Sequence, residues 1–93
     1  MELQGWYNKS MRLLHFTADW CSPCKAMKPL IDEYLESNPG VDYKMIDIDY
    51  DFDSLTTYDV LGVPTFILLD GDKELRRHTG AMPKQDFLEF MVG

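Results

Sequence analysis

The chain holds two cysteines, Cys21 and Cys24, within the stretch Phe16-Thr17-Ala18-Asp19-Trp20-Cys21-Ser22-Pro23-Cys24-Lys25. This stretch constrains the fold more than any other. It ends an apolar run, turns sharply and opens an amphipathic helical pattern, so it demands a strand, a tight turn and a helix in succession. Two thiols separated by two residues can be bridged across the first turn of a helix without rearranging it. The loop such a bridge closes is too short to restrict the unfolded chain much, which makes the pair a poor structural staple. The spacing suits a bond that is made and broken repeatedly. The stretch is therefore read as a redox active site, with the rest of the chain as its scaffold.

The 93 residues predict a single domain, residues 1–93, with one sizeable core. An apolar fraction of 45% and a charged fraction of 27% fit an ordinary soluble globular protein. No apolar run approaches the roughly 18 residues of a membrane span. Met1-Glu2-Leu3-Gln4-Gly5-Trp6 lacks the basic start and apolar core of a signal peptide, so a cytoplasmic location is the expectation. With 16 acidic and 9 basic residues the net charge is −7, which repels phosphate backbones and anionic lipid heads. Nucleic acid and membrane partners are not expected. A tight cysteine pair in a reducing compartment points to catalysis or to metal.

Along the chain, Leu3, Trp6 and Tyr7 are candidates to pack on the core, and Gly5 and Asn8-Lys9-Ser10 read as turn material. Met11 to Thr17 is an apolar run of strand length, with Leu13, His15 and Thr17 on one face and Leu14 and Phe16 on the other. Ser22 to Asn38 reads as a helix with an apolar stripe of Met27, Leu30, Ile31, Tyr34 and Leu35. Pro29 falls inside it, removes one backbone donor and is expected to kink the helix there, and Asn38-Pro39-Gly40 ends it. Val41 to Ile48 is a second strand. Asp47, Asp49, Asp51 and Asp53 lack the glycine and glutamate spacing of a calcium loop; Asp53 or Ser54 is expected to cap a short helix over Leu55 to Tyr58. Thr65 to Leu69 is the most strand-like run. Asp70-Gly71 signals a hairpin into Lys73 to Thr79, a polar return strand near an edge, and Pro83 suits the first turn of a last helix that buries Phe87, Leu88 and Met91. An initial βαβ unit plus the hairpin gives a mixed sheet.

The thiolate is the form that attacks a disulfide. Cys21 sits where the strand gives way to the helix, and free backbone N–H groups and the positive dipole end favour an anion there. Cys21 is expected to have a lowered pKa and to be the nucleophile. Pro23 costs no hydrogen bond so early in a helix. Cys24, one turn further in, is the expected resolving thiol. Two other readings of the pair stand beside this one. A closed zinc site needs four ligands, and beyond the pair the chain offers only His15 and His78 of the usual N/S type, with no second CxxC. A pair of inert buried thiols is the other reading, and a helix N-terminus is a poor setting for it.

Trp20-Cys21-Ser22-Pro23-Cys24-Lys25 resembles the W-C-G-P-C-K motif of the thioredoxin family, and Gly62-Val63-Pro64-Thr65 is similar to its G-[IV]-P-T. Phe16, Ala18, Pro29 and Gly80-Ala81 also fall on the family pattern, and the likeness runs from about Leu13 to Met91. The resemblance implies an α/β fold, a thioredoxin-like three-layer sandwich whose mixed central sheet is flanked by helices. It implies a protein-disulfide reductase that binds no cofactor, draws electrons from NADPH through a thioredoxin reductase, acts on disulfide-containing proteins and is a monomer. Pro64 would be a cis-proline lying against the disulfide. The Val63 backbone would pair with an extended substrate segment, and Trp20, Ser22 and Pro23 would flank the docking surface.

Three departures qualify the likeness. The buried Asp and partner Lys of the family are replaced by His15 and Met45. His15 either serves as the base for Cys24, since imidazole titrates near neutral pH, or is a core histidine with water as the base. Ser22 replaces the glycine between the cysteines; with Pro23 kept, a reductant is expected, nearer roughly −270 mV than the about −120 mV of a strong oxidant. The lead before Trp20 is too short for the family's first strand and helix, so the fold is expected to be shortened at the N-terminus. Two alternatives in function are a glutaredoxin-like reductase recharged by glutathione and a non-catalytic binding module on the same fold.

Overall fold

A computed structural model describes residues 11–93. The expectations for Leu3, Trp6, Tyr7 and the shortened lead lie outside the described residues. The elements in chain order are β1 (Met11–Thr17), α1 (Ser22–Ser37), β2 (Asp42–Asp47), α2 (Phe52–Thr57), β3 (Thr65–Asp70), β4 (Lys73–Thr79) and α3 (Lys84–Val92). The four strands make one sheet in the order β2-β1-β3-β4. β1 is parallel to β2 across the α1 crossover and antiparallel to β3, which is antiparallel to β4. The two most apolar strands therefore lie at the centre.

Period-two alternation in β1 sorts its side chains into two cores. Leu13 joins Phe66, Leu68, Met27, Ile31, Phe87 and Met91, packed by α1 and α3. Leu14 and Phe16 join Ile46, Ile67, Leu69 and Val60 on the opposite face, where Leu55 and Tyr58 pack against them. The result is helix, sheet and helix in three layers, a thioredoxin-like arrangement. β4 is the polar edge expected from Glu74, Arg76 and Arg77, and it bulges between Leu68 and Leu69 of its partner.

Boundaries differ from the sequence expectation at several ends: β2 lacks Val41 and Ile48, α1 stops at Ser37, and three further differences have a local cause. The short helix begins at Phe52, because Asp51 rather than Asp53 or Ser54 caps it; the Asp51 carboxylate accepts from Ser54 N at 3.0 Å and from Ser54 Oγ at 2.8 Å. Pro83 stands at the N-cap of α3 with extended backbone, just before the first turn instead of within it. The β3–β4 loop is Gly71-Asp72, with Asp70 still in the strand and paired with Lys73; Gly71 takes the left-handed φ of 62° that this two-residue turn needs. α1 runs unbroken through Pro29.

Candidate active site

The site is built at the C-terminal end of β1. Ala18 O accepts from Cys21 N at 3.1 Å, closing the turn that brings Cys21 to the N-cap of α1. Cys21 Sγ in turn accepts the backbone N–H of Cys24 at 3.2 Å, so the sulfur takes the place of a capping oxygen. Cys21 and Cys24 are bridged, with Cα atoms 5.3 Å apart. Their residues are 4% and 2% exposed, whereas Ser22 and Pro23 between them are exposed. No acidic side chain lies in the first turn of α1, where Lys25 follows the pair. Negative charge developing on Cys21 would meet an unopposed helix N-terminus.

A second segment completes the site. Val63 and Ile48 pack on the cluster of Ala18, Cys21 and Cys24. The Val63–Pro64 peptide bond is cis, and Pro64 is buried. The loop is held from behind: Pro64 O accepts from Gly80 N at 2.7 Å, and Thr65 Oγ1 donates to Gly62 O at 2.6 Å. That donation uses the one hydroxyl proton of Thr65, so Thr79 donates in the 3.1 Å contact between the two hydroxyls. Trp20 is 65% exposed beside the cysteines, and its indole N–H donates to Asp49 Oδ2 at 3.0 Å.

His15 lies behind the pair, on the α1 face of the sheet, and pairs in register with Met45 of β2. Its residue is 1% exposed. The ring stacks on Phe66 at 4.6 Å and 18°, and Nδ1 meets Tyr43 Oη at 3.0 Å. Nε2 is buried without a hydrogen-bond partner among the described residues. Burial, reinforced by the Lys28 charge, pushes the His15 pKa down to about 4. Burial and the Asp32 charge push Tyr43 up to about 12. His15 and Cys24 line one cavity of about 370 Å³, and Asp19, Lys25, Lys28 and Asp47 line it too. No group of three or more His, Cys, Asp or Glu side chains suited to a metal occurs among the described residues.

The thioredoxin family model matches residues 3–92. The chain belongs to the thioredoxin family. It is 34% identical to Thioredoxin-1 of Saccharomyces cerevisiae over 71 residues, 76% of this chain and 69% of that protein. It is 35% identical to a protein disulfide-isomerase of Datisca glomerata over 82 residues, 85% of this chain but 16% of that longer protein. A solved thioredoxin from Nicotiana alata, 32% identical, superposes with a TM-score of 0.82 over 98% of this chain and 81% of its own.

Within the thioredoxin frame, the structure brings Cys21, Cys24, Val63 and, behind them, His15 into one neighbourhood. Pro64 follows Val63 through the cis bond, while Trp20, Ser22 and Pro23 form an exposed rim. Sequence reasoning missed Asp49 as the anchor of Trp20 and Tyr43 as the partner of His15. The alternating aspartates read only as a strand end, and nothing local marks one of them as an indole acceptor. Tyr43 was detectable in principle: it sits two residues before Met45, the register partner of His15, and so shares its face of the sheet.

Proposed function

We propose that this protein reduces protein disulfides by dithiol–disulfide exchange. The observation that carries the proposal is Cys21 at the N-cap of α1, its sulfur accepting the Cys24 N–H and bridged to Cys24, under a cis Val63–Pro64 segment. In the reduced protein the Cys21 thiolate attacks a substrate disulfide; one substrate sulfur leaves as a thiolate and takes a proton from water. Cys24 then attacks Cys21 Sγ, the mixed disulfide breaks, and the second substrate thiolate departs. Two electrons pass to the substrate and the Cys21–Cys24 bridge remains. Val63 offers backbone to an extended substrate segment beside the sulfurs, and Trp20, Ser22 and Pro23 form the flanking contact surface.

The electron donor in this reading is a thioredoxin reductase using NADPH, and a reducing compartment such as the cytoplasm suits it. The protein itself needs no bound cofactor and acts as a monomer. Insulin reduction tests the reaction and its electron donor together. Turnover is expected with dithiothreitol and with NADPH plus a thioredoxin reductase, and little with glutathione and its reductase. Cys21→Ser abolishes it, and Cys24→Ser accumulates a mixed disulfide visible on a non-reducing gel. Preference for glutathione would make the protein glutaredoxin-like. Absence of turnover from every donor, with partner binding retained, would make it a binding module.

A further inference from the structure

The His15 ring has one nitrogen tied and one free. Nδ1 meets Tyr43 Oη at 3.0 Å, the ring plane is held against Phe66, and Nε2 is buried without a partner among the described residues. His15 and Cys24 line the same cavity of about 370 Å³. In the Tyr43 contact either group can be the donor, and chemistry decides. An imidazole nitrogen is a far stronger acceptor than a neutral phenol oxygen, so the favoured bond runs from the phenol O–H to Nδ1. That bond places the imidazole proton on Nε2.

We propose that Tyr43 fixes His15 in the Nε2–H tautomer, and that His15 acts as a hydrogen-bond donor to the Cys24 thiolate and not as a base. This assignment rests on the exchange reaction proposed above. When reduced Cys24 ionises, its proton passes to water in the cavity, whose lining residues Asp19, Lys25 and Lys28 are exposed. The thiolate accepts from Nε2–H, then attacks Cys21 Sγ of the mixed disulfide. A new S–S bond forms, the Cys21–substrate S–S bond breaks, and the substrate thiolate takes a proton from water. No proton is stored on His15. Its ring is a poor place for one: burial and Lys28 both disfavour the imidazolium. Tyr43 is a positioning residue that acts through His15. The other charges facing the cavity are Lys25 and Lys28 from α1, Asp19 from the turn and Asp47 from β2, two of each sign.

Two measurements on the reduced full chain read this directly. Nitrogen-15 NMR of the His15 ring is expected to show a protonated Nε2 and a bare Nδ1 near neutral pH; a protonated Nδ1 overturns the proposal. The Cys24 thiol is then titrated by its thiolate ultraviolet absorbance in a Cys21→Ser background. His15→Gln keeps an N–H donor and cannot take a proton, so its Cys24 thiol titrates close to the parent in that background, and with Cys21 restored it resolves mixed disulfides at a similar rate. His15→Leu removes the donor, raises the Cys24 pKa by about one unit and slows resolution about tenfold, the scale of a hydrogen bond to a charged group. Equal failure of Gln and Leu would return His15 to the role of base, and equal tolerance would make it a packing residue. Either result overturns the donor assignment. Tyr43→Phe is expected to mix the two tautomers without unfolding the protein, a shift that a purely structural tyrosine would not cause. Tautomer and thiol titration need no turnover, so inactivity toward insulin would count against the exchange reaction alone.

Discussion

At the scale of single residues, His15 shows how one buried group links site and stability. It is enclosed by Phe66, Tyr43 and the sheet, and its pKa falls from the ordinary 6.5 to about 4. Between those values the unfolded chain binds a proton that the native protein refuses. The stabilisation is therefore fully present above about pH 6.5 and is lost as pH drops toward about 4. By about pH 5 it amounts to roughly 2 kcal/mol lost relative to neutral pH. Urea unfolding of the parent and of His15→Gln at the two pH values should show the parent losing that much more. Parallel curves would mean that the imidazole is solvated in the native state. Position 15 was legible as a departure from the family pattern. Its neutral state was not, because desolvation depends on what the fold lays over the ring.

At the scale of elements, α3 is held in part by aromatic contacts. Phe87 is fully buried and meets Phe66 of β3 edge-on at 6.3 Å and Tyr34 of α1 at 5.8 Å. Phe87→Ala should cost about 3 to 5 kcal/mol, and Phe87→Leu much less, as read from urea midpoints. The alanine loss approaches the whole stability of a small domain, so α3 would detach or the chain would unfold. A small change would place the weight of this layer elsewhere. The face itself was legible, since Phe87 and Met91 are one turn apart and both are buried; Leu88, expected with them, is half-buried at the flank. Element boundaries were less legible. α2 begins at Phe52 because Asp51 can turn its carboxylate onto Ser54, and a row of alternating aspartates does not announce which one will do so. Likewise the pattern of β3 predicts a strand, but its central position beside β1 follows from pairing between distant segments.

At the scale of the whole molecule, the net charge of −7 acts on encounter more than on folding. Exposed charges are screened beyond about 8 Å at physiological salt. Reduction of a cationic disulfide peptide should therefore slow as salt rises from low ionic strength, while that of an anionic peptide of equal length speeds up. Second-order rate constants at several salt concentrations check this. Identical salt dependence for both peptides would mean that the charge lies away from the docking face.

The sequence alone determined what local chemistry can specify. Two thiols at helical spacing, a proline that tolerates the first turn, apolar runs of strand length and a turn-forming glycine each act within a few residues, and each is where the pattern put it. Contacts between distant segments were decided by the tertiary structure. Val63 comes to rest on the cysteines because β3 pairs antiparallel with β1 and delivers the preceding loop to the end where α1 begins. Tyr43 reaches His15 because β2 runs parallel to β1 in a register that pairs His15 with Met45. Register is a collective outcome of burying both sheet faces at once, and no window of sequence contains it. The Cys21–Cys24 pair could thus be read from the chain, while the histidine that lines the same cavity as Cys24, and the proton it carries, depend on how the strands align.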